Sequence, residues 1–474
     1  MHAVTMRTLA IVLCAAAFAG CASAPAERAP AAPAASTASA SSLDVPVEFY
    51  RLDNGLRVVL SRDTSMPTVT VGVYYHIGFR IEPKGRTGFA HLFEHMMFQG
   101  STNLGKMEFI RLIEGNGGIV NGSTRFDYTN YFQLVPAHTL ETVLWAEADR
   151  MRGLAVTQEN LVNQQGVVKN EVKVNVLNRP YGGFPWLVMP QHANENWYNA
   201  HNFYGDLADL DAATLEDVQA FFDTFYAPNN AVLVVAGDFD EAETREWIER
   251  YFGGIPARPQ PARPDISEPR QEAEKRHRYV DPLAPRPALA VAWHVPQRGT
   301  PEHFAMGLID QLLLQGEDSA LWRRLVAERG YAGSVGGGIN LLGNMFTYDG
   351  PMLWMLSLIH DASTPSSEIL ADIDAEITRL QDTPVAQADL DRALTKIRTG
   401  LYDMVGSSTR IGLVELLASF ALFDEDPARI NRIEEGFRAV TPELIQQVAR
   451  EYLRSSNRTV LEVEPGLAAA GASR

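Results

Sequence analysis

Two segments 227 residues apart share one pattern, and this repeat constrains the possible fold more than any other feature of the sequence. Thr214–Gln219 and Thr441–Gln446 both begin with a threonine ahead of helix-forming residues, a common start of a helix. A tyrosine, an asparagine and a β-branched run typical of a strand follow each of them. The pattern predicts that the second half of the chain is a diverged copy of the first. The alternative to a repeat is that two unrelated segments each contain a helix followed by a strand, because such short patterns recur by chance.

A proline-rich break separates the two halves. Residues 256–264 contain four prolines in nine positions, which excludes a helix or a central strand there. Strand patterns over 49–62 and 68–77 stand beside a helical pattern over 138–154. The predicted fold class is therefore α+β, with two homologous domains, each a mostly antiparallel sheet packed with helices. The predicted organisation is a first domain over 45–255, a linker over 256–275, a second domain over 276–465 and a tail over 466–474.

The N-terminus predicts export from the cytoplasm. Arg7 precedes an apolar stretch from Leu9 to Phe18 that is too short to span a bilayer, as expected for a signal peptide over residues 1–20. Phe18–Cys21 resembles the lipobox of bacterial lipoproteins, which predicts lipidation of Cys21 and a periplasmic protein anchored to the outer membrane. Cleavage at an ordinary Ala-x-Ala-like site, with no role for Cys21, is the alternative. The Ala, Pro, Ser and Thr that follow predict a flexible tether over 21–44.

Composition excludes several other classes of protein. The only cysteines are Cys14 and Cys21, so the body of the chain has neither a disulfide framework nor a cysteine-based zinc site. The formal net charge of −17 leaves no basic surface for nucleic acid. Any metal ion must therefore be held by histidine and carboxylate side chains.

A His-x-x-Glu-His sequence supplies such ligands. His91 and His95 lie four residues apart in a predicted helix, so that both imidazoles can bind one metal ion from the same face. Glu94 borders that face and can accept a proton from a water molecule without being a ligand. Paired helix histidines that are hydrogen-bonded in a core are the alternative.

With this motif the sequence resembles the insulinase/pitrilysin family of metallopeptidases, whose inverted zinc signature is His-x-x-Glu-His. The resemblance extends over nearly the whole chain, from Arg51 to Leu453. Further segments that carry it, in the family's order, are Gly117–Thr124, Asp127–Tyr131, Val167–Glu171, Tyr226–Asn230 and Val235–Asp238.

The resemblance implies the remaining parts of a zinc site. The family takes its third ligand from a glutamate about 76 residues after the second histidine, and Glu171 has that position here. Two histidines and one glutamate would hold one Zn²⁺ per chain and leave the fourth position open for water. Many members carry an acidic residue seven positions before that glutamate, where this chain has Gln164. A neutral side chain there is expected to alter the rate or the pH optimum.

The resemblance also implies residues that bind the substrate. Asn121 lies on a strand whose edge binds the substrate backbone in this family. Arg324 and Tyr331, seven residues apart in the second half, have the spacing of a pair that reaches across a closed chamber to the zinc site and stabilises the oxyanion. Taken without the resemblance, all three are ordinary surface or core residues.

The family closes a chamber from four related domains, whereas this chain has two. We therefore expect it to form half of a clamshell and to complete the site as a homodimer, with a heterodimer of related chains as a further possibility. The predicted function is a zinc-dependent endopeptidase acting on peptides or unstructured polypeptide segments in the cell envelope. A non-catalytic structural or peptide-binding subunit of the same fold is the alternative, because fold does not fix function.

Overall fold

The computed structural model describes residues 43–466, and each half of this range contains one β-sheet with helices packed against it. The predicted signal peptide, Cys21 and most of the predicted tether lie outside the described residues. The strands are β1 (Glu48–Arg51), β2 (Arg57–Arg62), β3 (Thr68–Tyr75), β4 (Ile119–Thr124), β5 (Thr129–Pro136), β6 (Ala231–Gly237), β7 (Lys275–Asp281), β8 (Ala288–His294), β9 (Gly336–Ile339), β10 (Leu353–Ile359) and β11 (Arg458–Pro465).

The helices connect these strands. In the first half they are α1 (Phe89–Met96), α2 (Glu108–Gly115), α3 (Leu140–Arg152), α4 (Gln158–Val172), α5 (Val188–Ala193), α6 (Trp197–Ala200), α7 (Leu207–Ala212), α8 (Leu215–Phe225) and α9 (Glu241–Phe252). In the second half they are α10 (Pro301–Leu313), α11 (Ala320–Trp322), α12 (Ser366–Asp382), α13 (Gln387–Val405), α14 (Ile411–Phe423), α15 (Ile433–Arg438) and α16 (Pro442–Tyr452). Two π-helical turns, Lys173–Leu177 and Arg323–Glu328, directly follow α4 and α11. No helix within residues 43–466 is long and apolar enough to cross a membrane.

The two sheets have the same topology. The first has the strand order β1-β2-β6-β3-β5-β4, and the second has the order β7-β11-β8-β10-β9. In each sheet the strand that follows the repeated helix, β6 or β11, pairs in parallel with one neighbour and antiparallel with the other. All remaining pairs are antiparallel. The fold class is therefore α+β with two related halves, as the repeat predicts, and β1 is the one strand of the first sheet without a counterpart in the second.

The predicted threonine caps the N-terminus of each helix of the sequence repeat. Thr214 accepts a hydrogen bond from Asp217 N at the start of α8, and Thr441 accepts one from Leu444 N at the start of α16. These caps satisfy backbone donors that a helix leaves free in its first turn. The proline-rich residues 256–264 form neither helix nor strand, and they lie between the last helix of the first half and the first strand of the second.

Each sheet is covered on one face by a helix from the other half. In β6, Leu233 and Val235 pack with helices of the first half, whereas Val232 and Val234 pack in one cluster with Leu413 and Leu417 of α14. Helix α5 of the first half packs in the same way on the second sheet, where Met189 and Ala193 contact Ala290, Ala292 and Leu461. The two halves therefore share their apolar cores instead of packing as separate bodies.

Gly72 of β3 allows the close approach of α14. A Cβ atom at this position would lie 2.6 Å from Cγ1 of Val414, closer than two carbon atoms can approach. The hydroxyl of Thr70 donates a 2.7 Å hydrogen bond to Thr409 O, two residues before the start of the same helix. The contact between α14 and the sheet therefore depends on a residue without a side chain.

Gly72→Ala should lower the free energy of unfolding by about 1–3 kcal/mol, because the new methyl group overpacks the contact with Val414. In the double variant Gly72→Ala, Val414→Ala the loss should be smaller than the sum of the two single losses, since the second change makes room for the first. Denaturant unfolding of the four proteins measures this coupling. Additive losses would show that the two residues do not limit the approach of α14.

Candidate metal centre

Helix α1 carries both histidines and the glutamate of the motif. Its apolar side chains Phe89, Leu92, Phe93 and Met96 are fully buried against the first sheet and α8, which fixes the rotation of the helix about its axis. His91 is buried and His95 is partly exposed, with their ring centroids 5.0 Å apart. The four-residue spacing therefore places both imidazoles on one side of the helix, as predicted.

Glu171 reaches this pair from the end of α4. Its carboxylate oxygens lie 3.2 Å from Nε2 of His95 and 3.7 Å from Nε2 of His91. One potential ligand atom from each of the three side chains lies within 4.8 Å of the others. Within residues 43–466 no other three His, Cys, Asp or Glu side chains form such a group. Two imidazole nitrogens and one carboxylate oxygen are a ligand set suited to zinc, with one coordination position left for water.

The surroundings favour the charge states that a metal site requires. Burial, together with the neighbouring His95, lowers the pKa of His91 to about 4. The contact with His95 holds the pKa of Glu171 below its usual value, against the opposing effect of burial. At neutral pH His91 is therefore neutral and Glu171 is ionised, and both can donate a lone pair to a cation.

Glu94 lies beside this cluster under the edge of the sheet. Its Oε2 accepts a 2.7 Å hydrogen bond from the hydroxyl of Thr124, the last residue of β4. A Cβ atom at Gly122 would lie 3.3 Å from Cγ of Glu94, so β4 passes directly over the glutamate. Burial raises the pKa of Glu94 above the usual value of a carboxyl group, although the Thr124 hydrogen bond opposes this shift. A carboxylate with a raised pKa is a better proton acceptor.

Two residues that the sequence analysis missed support the cluster. The hydroxyl of Tyr204 lies 3.5 Å from Oε1 of Glu171, and its ring packs edge-on against His91 at a centroid distance of 5.1 Å. Glu82 is fully buried and accepts hydrogen bonds of 2.8 Å from Gly88 N and 2.6 Å from Ala90 N. Within α1 these two amides have no acceptor, because a helix leaves its first N–H groups unbonded and Gly88 has no side chain to cap them. Glu82 therefore takes the place of the missing cap.

Gln164 lies buried on α4, two helical turns before Glu171. Its amide donates a 2.7 Å hydrogen bond to Oδ1 of Asn163, and none of the hydrogen bonds within residues 43–466 joins it to His91 or His95.

Asn121 is an exposed residue of β4, which forms one edge of the first sheet. Its side-chain oxygen accepts a hydrogen bond from Gly122 N. Strand β4 pairs with β5 on one side, and its other side is the edge of the sheet.

Arg324 and Tyr331 lie together in the second half, on either side of the end of a π-helical turn. Nε and Nη2 of Arg324 donate to Oδ1 of Asp372 at 2.9 and 2.6 Å. The hydroxyl of Tyr331 lies 2.8 Å from Oδ2 of the same carboxylate and 2.9 Å from Oε1 of Glu368, and its one proton can be donated to either. Arg329, which the sequence analysis did not single out, also contacts Asp372, at 2.9 Å.

The structure does not bring this pair to the histidine cluster of its own chain. Within residues 43–466 no hydrogen bond or ion pair joins Arg324 or Tyr331 to His91, Glu94, His95 or Glu171. The predicted site residues therefore form two separate groups, one in each half of the chain.

Two family profiles match this chain. The profile of Insulinase (Peptidase family M16) matches residues 57–181, and the profile of the Peptidase M16 inactive domain matches residues 212–397. The first match contains the cluster of His91, His95 and Glu171, whereas the second contains Arg324 and Tyr331.

Curated relatives and solved structures agree with these matches. The zinc protease PqqE of Helicobacter pylori is 24% identical over 88% of this chain and 93% of its own length. The β subunit of the mitochondrial-processing peptidase of Bos taurus is 25% identical over 87% and 83% of the two chains. A crystal structure of a protease from H. pylori superposes with a TM-score of 0.81 at 23% identity, covering 89% of this chain and all of the other. The periplasmic protease PqqL of Escherichia coli superposes with a TM-score of 0.73 at 17% identity, over 91% of this chain and 49% of its own.

Glu82→Gln should weaken metal binding through the helix that carries the histidines. The two oxygens of Glu82 accept one N–H group each, whereas the nitrogen of the glutamine amide cannot accept, so we expect a loss of about 0.5–2 kcal/mol in the free energy of unfolding and roughly tenfold weaker zinc binding. Asp217→Asn is the matched control, because Asp217 caps α8 from its capping box and does not contact α1. It should lose similar stability with unchanged zinc affinity. Chelator competition measures the affinity, and equal zinc affinities in both variants would contradict the role of Glu82.

Proposed function

The chain belongs to the insulinase family, peptidase family M16, and we propose that it is a zinc-dependent endopeptidase that hydrolyses peptides or unstructured polypeptide segments in the cell envelope. The observation that carries this proposal is the convergence of His91, His95 and Glu171 within 4.8 Å, next to a half-buried glutamate, Glu94, that is not part of the ligand set. A zinc-binding structural site would have four protein ligands and no adjacent base.

The three ligand side chains fit zinc, with His91 and His95 held by α1 and Glu171 by α4. A bound zinc ion would polarise the scissile carbonyl and lower the pKa of a water molecule. Glu94 would accept the proton of that water through the oxygen that does not bind Thr124, and would then donate it to the leaving amine. Its hydrogen bond to Thr124 holds the carboxylate in one orientation for both transfers.

The edge strand β4 supports binding of an extended substrate. It is the outermost strand on its side of the first sheet and passes over Glu94, so a peptide paired with its free edge would run across the catalytic carboxylate. In this arrangement Asn121 would hold the substrate close to the reacting carbonyl. An extended backbone is required for such pairing, which accounts for a preference for unfolded segments.

A second copy of the chain would complete the site. Arg324 and Tyr331 form a cationic and phenolic pair suited to stabilise developing negative charge, yet they do not contact the cluster of their own chain. Strongly exposed apolar side chains lie on the segment that carries Glu171, at Val162, Val167, Val174 and Leu177. Such side chains are typical of a surface that another chain covers. A homodimer in which each chain supplies the pair to its partner's zinc accounts for both features.

Location in the periplasm rests on the N-terminal sequence, with its signal-like stretch and Cys21. The periplasmic location of PqqL, a protein of similar fold, agrees with this part of the proposal.

Glu94→Gln should bind zinc as the wild type does and lose peptidase activity by several orders of magnitude, because it removes the proton acceptor and keeps all three ligands. His95→Ala should lose both zinc and activity, since one of the ligands is gone. Metal analysis and hydrolysis of a mixed peptide library measure the two properties. A wild-type protein that binds zinc and peptides without cleaving them would instead be a non-catalytic subunit.

Gln164→Glu should tighten zinc binding and shift the pH profile of hydrolysis, because it adds a negative charge on the helix that carries Glu171. Gln165→Glu is the matched control, as it places the same charge on the next residue, whose amide bonds Leu210 O instead. Zinc affinity and the pH profile should respond only to the change at position 164. Identical behaviour of both variants would show that Gln164 is not coupled to the metal site.

Mixing two inactive variants tests the shared site. His95→Ala lacks the metal, and Tyr331→Phe lacks the hydroxyl that would contact the oxyanion, but a mixed dimer contains one site with both groups intact. We expect part of the activity to return when the subunits exchange. Fluorescence energy transfer between labelled chains verifies exchange, and sedimentation gives the oligomeric state. Proven exchange without activity, or an active monomer, would contradict the dimer.

A further inference from the structure

A cavity of about 520 Å³ lies at the β1–β2 side of the first sheet, the side opposite β4. Arg51 of β1, Arg57 of β2, His76 after β3 and Arg263 of the proline-rich segment all line it. Cavities of this volume hold small organic molecules. Three arginines therefore line one cavity of a chain whose formal net charge is −17, and Glu425 is the one carboxylate among the lining residues.

Arg57 is a buried cation that forms no direct ion pair within residues 43–466. Only 6% of the residue is exposed, and within residues 43–466 no carboxylate oxygen lies within 4.0 Å of its guanidinium. Its Nε and Nη1 donate only long hydrogen bonds, of 3.3 Å to Ala231 O and of 3.2 and 3.5 Å to Leu422 O and Ala421 O. The last two carbonyls, near the C-terminus of α14, supply a partial negative charge. A buried full charge is normally paired, so the cavity still lacks a compensating group here.

The other two arginines are only partly compensated. Nη2 of Arg51 pairs with Glu425 at 2.9 Å, whereas Nη1 of Arg263 lies 3.7 Å from Asp349. Burial, with the nearby charges of Arg51 and Arg263, lowers the pKa of Arg57 to about 10, although the carboxylate of Glu425 opposes this shift. The side chains of Arg51 and Arg263 are 48% and 46% exposed, so water screens part of their repulsion of Arg57, whereas the charge of the buried Arg57 would be compensated by an anion beside it.

His76 adds a free polar atom to the same wall. The residue is 8% exposed, and its Nε2 makes no hydrogen bond within residues 43–466, with Asp349 at 3.7 Å as the nearest carboxylate. A buried imidazole nitrogen without a partner is unusual, because it loses its hydrogen bond to water and gains none in the protein. A ligand with oxygen acceptors would satisfy it.

We propose that this cavity binds a small oxyanion, the group shared by phosphates and carboxylates, between Arg57, Arg263 and His76. Guanidinium groups bind both kinds of oxyanion with paired, charge-assisted hydrogen bonds. The cavity walls come mainly from the first half and the connecting segment, and Glu425, just after α14, is the one lining residue from the second half and pairs with Arg51. The site is separate from the zinc cluster and does not depend on peptidase activity.

Calorimetric titration and thermal unfolding of the purified protein test this proposal with two probes, inorganic phosphate and citrate. The ionic strength is held constant with sodium chloride, which also serves as the control for general salt effects. We expect saturable binding and a rise in unfolding temperature with at least one probe. A response to phosphate alone assigns a phosphate ligand, and a response to citrate alone assigns a carboxylate. No saturable response to either probe overturns the proposal.

Variants locate the binding. Arg263→Ala and Arg57→Gln should each weaken binding of the responding probe at least tenfold. Arg111→Ala is the control, because Arg111 is an exposed cation of α2 that does not line the cavity, and it should bind as the wild type does. If Arg57→Gln does not fold, His76→Ala takes its place beside Arg263→Ala. Unchanged affinity in the cavity variants, or an equal loss in Arg111→Ala, would place binding elsewhere.

Discussion

The need to cover both faces of each sheet determines how this chain is built. In a buried sheet, side chains alternate between two apolar faces, and each face must be packed against another layer. Each half covers one face with its own helices and receives a single helix from the other half on the second face, α14 on the first sheet and α5 on the second. Gly72 allows α14 to approach closely enough for this. Neither half can bury its sheet alone, so the two copies of the repeat form one unit.

This arrangement leaves one edge of the first sheet free and places the chemistry there. Helix α1 is held by its apolar face and by the carboxyl group of Glu82 at its N-terminus, and α4 brings Glu171 to the two imidazoles. Strand β4 passes over Glu94 and fixes its orientation through Thr124. The second half keeps the same strand order without the histidine motif. In that half Arg324 and Tyr331 converge instead on Asp372, which holds the guanidinium and the hydroxyl side by side.

Local patterns predicted much of this structure, and long-range contacts account for what they missed. The repeat and the strand patterns predicted two related α+β halves, because helix starts and β-branched runs are encoded in neighbouring residues. The spacing of His91 and His95 predicted a common face of one helix for the same reason. Glu171 could be assigned only through the resemblance, since nothing in the residues around it indicates that α4 meets α1.

Other contacts had no sequence signal at all. Glu82 lies outside the helix that it caps, and Tyr204 reaches Glu171 from a loop far along the chain, so neither shows a recognisable spacing. The apolar sequence of α14 indicates a buried helix but not which sheet it covers. The carboxylates of Asp372 and Glu368 look like ordinary helix residues until the fold places them beside Tyr331.

The most direct test of this account is a crystal structure of the zinc-loaded protein with diffraction data collected at the zinc absorption edge. The account predicts one anomalous peak per chain, about 2.0–2.2 Å from a nitrogen of His91, a nitrogen of His95 and an oxygen of Glu171. It further predicts that Glu94 does not ligate the metal. A peak at any other place, or none at this cluster in a protein with peptidase activity, would contradict the account.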